Sequence, residues 1–240
     1  MRGKPRSRPG CRTRSRRGVS LTEVLVYSGL MGLVLSAVYA AFTPGLRYYR
    51  ATQSNVEIQQ GAQAALQRLA GELMESNLGG IRFYPNSSYP GVPSGIVLIS
   101  PRSPSAPERV GLNPLTGRAR WYKYVCYYVG PDDTPGRLAL YRKEYVPSGL
   151  NPDARPTPCP YTTDWFRSSS SRAQVVARDL APVSSAYPYG GFEAFSGDPE
   201  TSAPERNSPA NPVCLLVTSE NRDAGGANRM TSRILVNVRN

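Results

Sequence analysis

The stretch RRGVSLTEVLVYSGLMG, Arg16 to Gly32, places a single carboxylate, Glu23, near the start of a run that is otherwise apolar, small or hydroxyl-bearing from Val19 to Phe42. Those 24 residues rise about 36 Å as an α-helix, enough to cross the ~30 Å hydrocarbon core of a bilayer. An ionised carboxylate in hydrocarbon costs roughly 2.5–3.5 kcal/mol on insertion scales, and acids in such segments usually mark function. Glu23 therefore calls for a compensating charge.

On the N-terminal side the chain is strongly basic. Arg2, Lys4, Arg6, Arg8, Arg12, Arg14, Arg16 and Arg17 all precede the apolar run, with no acid among them. They account for most of the formal net charge of +12; from Val19 onward 21 basic residues face 17 acids. The excess is thus a leader and not a basic domain surface, and beside a membrane segment it holds the N-terminus in the cytoplasm.

On the C-terminal side, Pro44 and Gly45 punctuate the run, in a position to kink it without ending it. Beyond them Leu46, Tyr49, Val56, Ala62, Leu66, Leu69 and Leu73 recur at mixed three- and four-residue spacing among Gln, Arg and Glu, which predicts an amphipathic helix with one buried face. Gly79-Gly80 is the expected C-cap. After Gly80 the pattern turns to strands. GIVLIS (Gly95 to Ser100) is closed by Pro101, and RWYKYVCYYVG and RLALYRKEYV flank the turn-forming PDDTPG. AQVVARDL reads as a strand by its paired valines, and VCLLVTSE and TSRILVNVR make a second hairpin. Pro85 to Pro93, Pro147 to Pro160 and Asp198 to Pro212 read as long surface loops. The expected fold is α+β: a long N-terminal helix, membrane-embedded in its first half and amphipathic in its second, packed on an antiparallel sheet with long Pro/Ser/Gly-rich loops. The divisions are 1–18 leader, 19–43 transmembrane helix, 44–80 amphipathic half and 81–240 β-rich head.

Gly18, the hydrophobic stretch from Val19 and a Glu five residues into it, behind a basic leader, resemble the class III signal of the type IV pilin and pseudopilin family; the common form G-F-T-L-I-E stands here as G-V-S-L-T-E. The resemblance implies that prepilin peptidase cuts between Gly18 and Val19, that the new N-terminus at Val19 is methylated, and that the helix waits in the inner membrane, head in the periplasm, until it enters a filament. It also implies that Glu23 compensates the terminal ammonium of a neighbouring subunit, which would make it a register key. The order of long helix, strand ending LISPR, tyrosine-rich hairpin with LYRKE and final strand ending VNVRN is similar to larger minor pilins of the PilW and pseudopilin-J kind. The implied partners are other minor and major pilins and the inner-membrane assembly platform, in a pilus, a competence pilus or a type II secretion pseudopilus.

Other readings carry less. SRRGVSL, Ser15 to Leu21, also resembles a twin-arginine signal, with VYA at Val38 to Ala40 as a cut site releasing or anchoring a periplasmic protein; Glu23 would then lie inside an h-region that is normally uncharged. Lys123 among the aromatics of WYKYVCYYV suggests base stacking and DNA uptake, but alternating tyrosines in a strand are more often half-buried sheet residues. Catalytic motifs are missing, and so is histidine, the commonest general base; the chain reads as no enzyme and as needing no cofactor. DAGGAN (Asp223 to Asn228) lacks the ligand density of a calcium loop, and Cys126, Cys159 and Cys214 lack the spacing of a zinc site. In an oxidising compartment those three predict one disulfide and one leftover thiol. Cys126–Cys159 is the favoured pair, since the Pro-rich loop leaving the tyrosine hairpin can fold back over the sheet.

Overall fold

The computed structural model describes residues 18–86, 89–170, 172–182, 191–198, 200, 205, 208–221 and 228–239. Its first element, α1 (Leu21–Glu75), is one helix of 55 residues that runs through Pro44 without ending. The chain divides into two compact units, Met1–Arg50 and Ala51–Asn240. In the first unit the helix buries no residue at all.

In the second unit α1 buries one stripe, Ala62, Ala65, Leu66, Leu69, Ala70 and Leu73. The alanines let the helix approach the sheet closely, and each leucine contributes about 1.5–3 kcal/mol by leaving water. Leu46, Tyr49 and Val56, expected on this face, are exposed. At about 100° per residue Tyr49 and Val56 lie roughly 200° around the helix from Leu69, so their apolarity serves a different surface. The helix also stops earlier than Gly79-Gly80 suggested. After Glu75, Asn77 caps a separate 3-10 turn, Leu78–Gly80, by accepting from the Gly79 N–H at 2.9 Å. Gly80 is required by close approach: a Cβ there would stand 2.3 Å from Ile99 Cγ2.

The sheet strands are β1 (Arg82–Asn86), β2 (Tyr89–Ser100), β5 (Lys123–Pro131), β6 (Leu138–Tyr145), β7 (Gln174–Leu180), β8 (Phe192–Ser196), β9 (Val213–Asn221) and β10 (Asn228–Val236). A small separate ribbon pairs β3 (Arg102–Ser103) with β4 (Ala106–Val110). All pairings are antiparallel, in the order β1-β2-β5-β6-β7-β9-β10. β8 joins β9 on the edge that β7 touches only at Leu180–Ser219. The sheet curls until β8 runs close beside β2 without a ladder between them.

Both predicted hairpins are present, and AQVVARDL is a strand. Apart from 87 and 88, the segment from Pro85 to Pro93 is strand and not loop: β1 and β2 pair there, with Pro85 opposite Pro93 and two register shifts. Prolines are tolerated because β2 meets β5 only from Gly95 onward, so this part is a two-stranded ribbon with open outer edges. Pro147 to Pro160 does lack strands, yet it ends buried, with Cys159 fully enclosed. Within Asp198 to Pro212, residues 199, 201–204, 206 and 207 lie outside the described residues, as do most of DAGGAN and the leader up to Arg17.

β5 explains the two-sided core. Val125 and Tyr127 face α1 with Leu98, Leu140, Leu215 and Val217. Tyr124, Cys126 and Tyr128 point the other way, into a second cluster with Trp121, Cys159 and Phe166. That outer layer is closed by α2 (Thr163–Ser168), whose start is capped by the Thr162 hydroxyl accepting from the Trp165 N–H. Lys143, buried on β6, donates to the carbonyls of Phe166 at 2.6 Å and Ser169 at 2.9 Å, placing a cation at the end of α2. Burial pushes the Lys143 ammonium below its ordinary pKa.

Candidate functional site

Glu23 sits in the first turn of α1, exposed along with Gly18 and Val19. Ser20 starts the helix: its carbonyl accepts from the N–H groups of Glu23 and Val24 at 3.1 and 3.2 Å, and its hydroxyl accepts from the Glu23 N–H at 3.2 Å. Ser20-Leu21-Thr22-Glu23 is therefore one half of a capping box, and the acid at its fourth position is favoured by the positive end of the helix dipole. Ser20 was missed in the reading above, although S-x-x-E ahead of an apolar run is its usual sequence signal.

The polar residues inside the apolar run are neutralised locally. Ser28 donates to the Leu25 carbonyl at 2.9 Å, Ser36 to Leu33 at 2.8 Å and Thr43 to Tyr39 at 2.7 Å. Hydroxyls bonded back onto their own helix need no water, which is the requirement for a helix in hydrocarbon. Among the described residues α1 is the one helix long and apolar enough to cross a membrane. Among the described residues the Glu23 carboxylate has no such partner for its charge.

The second half of α1 is keyed to the sheet by charge. Glu72 Oε1 accepts from Arg142 at 2.8 and 3.0 Å, and Arg142 also reaches Glu144 at 2.6 Å. Lys123 holds the other Glu144 oxygen at 2.8 Å. One turn on, Glu75 takes the fork of Arg102 at 2.5 and 2.6 Å. Burial pushes the Glu144 carboxyl up, but the hydrogen bonds and charges of Lys123 and Arg142 outweigh it and hold the group below its ordinary pKa. For Arg142 burial acts downward, and Glu72, Tyr127 and Glu144 carry the net shift upward.

Cys126, Cys159 and Cys214 are free, buried thiols in this structure. Cys126 and Cys159 share the outer cluster, whereas Cys214 lies with Phe195 and Leu216. The loop from the tyrosine hairpin does fold over the sheet, with the Cys159 carbonyl accepting from Tyr84 at 3.0 Å and the Thr157 carbonyl from Tyr124 at 3.2 Å. Burial raises the Cys126 thiol well above its ordinary pKa and raises Cys159 and Cys214 to about 11, so none offers much thiolate near neutral pH. Non-reduced peptide mapping of chain exported to an oxidising compartment is expected to show Cys126 linked to Cys159, a loop worth roughly 3–4 kcal/mol in the chain-entropy model. A peptide linking Cys214 to either one would overturn the pairing.

Among the described residues no group of three or more His, Cys, Asp or Glu stands together to hold a metal. Comparisons with protein-family models, with curated proteins and with solved structures return no match. The class that fold and site define is a protein with a long apolar N-terminal helix continuing into a helix packed on an antiparallel sheet, a pilin-like architecture.

Proposed function

We propose that this chain is a minor pilin or pseudopilin, a single-pass inner-membrane subunit that helps start or assemble a type IV pilus, a competence pilus or a type II secretion pseudopilus. One observation carries the reading. The cleavage-like junction Gly18–Val19 and the lone acid Glu23 stand at the head of a helix that stays unburied to Arg50 and then packs on a sheet without a break. A signal cut near Ala40 would divide that helix in its middle, which favours the pilin reading over the secreted one. Prepilin peptidase, other pilins and the assembly platform are the partners, DNA contact is secondary, and the role is structural and not catalytic.

Co-expression with a prepilin peptidase, followed by intact-mass measurement, tests the processing step. The mature chain is expected to begin at Val19 with a methylated amine, and Gly18→Leu is expected to abolish the cut and leave the precursor in the membrane. A mature chain beginning at Ala41 would establish the secreted protein instead.

A further inference from the structure

We propose that Arg47, Tyr48, Tyr49 and Arg50 form a ring around α1 that binds the anionic phospholipid headgroups of the leaflet on the head side and so fixes the depth of the helix. The proposal rests on the membrane-spanning reading above. Four consecutive residues at about 100° per step cover the whole circumference of a helix. All four are exposed, Tyr48 at 76 % and Tyr49 at 68 %. A helix that packs on a protein surface shows a stripe, and α1 does so as soon as the ring ends: Ala51, Ser54, Asn55, Ile58 and Gly61 are half-buried at three- and four-residue spacing. An all-round ring fits surroundings that are themselves all round, such as the boundary layer of a bilayer.

Length and charge agree with that occupant. From Val19 to Arg47 the helical rise is about 42 Å, against ~40–45 Å for a bilayer with its headgroups. Tyrosine at this depth keeps its ring among the acyl ester groups and its hydroxyl in water. Arg47 and Arg50 stand on one side at i and i+3, and the sequence holds no acid between Glu23 and Glu57 to pair with them. Lipid phosphates supply the missing negative charge, bound through the guanidinium forks. Two arginines on the far side do not invert the orientation, because eight basic residues precede Val19.

The test is depth measurement on the full chain in vesicles of phosphatidylcholine with or without phosphatidylglycerol. Cys11 is replaced by Ser, and a nitroxide is attached at a cysteine introduced for Leu35, Leu46 or Gln53; the three native head thiols are fully buried and stay unlabelled. Relative accessibility to oxygen and to a water-soluble nickel chelate gives the depth. The expected profile puts position 35 in hydrocarbon, 46 at the headgroups and 53 in water. The R47Q/Y48S/Y49S/R50Q variant is expected to move position 46 by about one turn, ~5 Å, and to lose the dependence on phosphatidylglycerol. Position 46 fully in water, or unmoved by the variant, or indifferent to the anionic lipid while position 35 stays in hydrocarbon, would overturn the ring and leave the span standing. Position 35 outside hydrocarbon would overturn both. Immobilisation of position 46 only when unlabelled copies of the chain are added would assign the ring to a protein contact and refute the lipid assignment.

Discussion

Arg142→Met is expected to destabilise the head by about 3–5 kcal/mol, the range for removing one member of a buried ion pair. Arg142 is 8 % exposed and stands between Glu72 and Glu144. Without it the remaining ion pair of Glu72 among the described residues is the looser one with Arg68 at 3.7 Å, and its second oxygen is already buried without a hydrogen bond among them. Urea unfolding in detergent, followed by the fluorescence of Trp121 and Trp165, reads the head alone, because both tryptophans lie in that unit. Adding Glu72→Leu removes the stranded carboxylate and is expected to restore most of the loss. No recovery in the double variant would mean that Arg142 acts mainly through packing on Tyr127, whose ring centre is 6.0 Å from its guanidinium carbon. The pair also has a pH signature. Glu144 is held below its ordinary 4.5, so its contribution is present above that value and is lost as pH falls through the lower folded value. Arg142→Met is expected to flatten that acid limb, since one of the two cations holding Glu144 has gone.

The second large effect concerns Glu23. Glu23→Val is expected to insert and be processed as the parent is, with insertion eased by roughly 2.5–3.5 kcal/mol. On the pilin assignment proposed above, incorporation into filaments is expected to fall on the order of a hundredfold, because the terminal ammonium of a neighbouring subunit would lose its counter-charge in low dielectric, an effect of about 3 kcal/mol. Quantifying the subunit in sheared filaments against the membrane fraction gives the ratio. The capping geometry at Ser20 supplies a control. Glu23→Gln keeps a side chain suited to the fourth position of the box but removes the charge. If Gln assembles as well as Glu, the residue serves the helix start; if Gln fails as Val does, the charge is what the filament uses.

The long helix and the central hairpins were legible because their signals are local. An apolar run of 24 residues, the tyrosines and valines clustered in WYKYVCYYV, and Gly, Asp and Asn between two aliphatic runs each specify one element. What was not legible depended on partners distant in sequence. β8, FEAFS, is a strand because β9 offers it an edge, and α2, TDWFRS, is a helix whose end is held by Lys143 from another strand. The prolines of β1 and β2 mislead because sequence alone does not say which strand edge stays open. At the start of α1, the Ser20 cap could have been read from its S-x-x-E spacing. The partnership of Glu72 with Arg142 could not, since 70 residues separate them.

β9 has a consequence for the order of events. Its nine residues are all buried, with β10 along one edge and β8 and β7 sharing the other. Leu215 and Val217 from it lie in the same core as the helix stripe. β9 thus leaves the ribosome after every strand it borders except β10. Until it arrives, β7 and β8 have no common neighbour and the leucines of α1 face an incomplete wall. The sheet therefore closes only once residues 213–221 have been made, and the strands made before them wait with their apolar faces open.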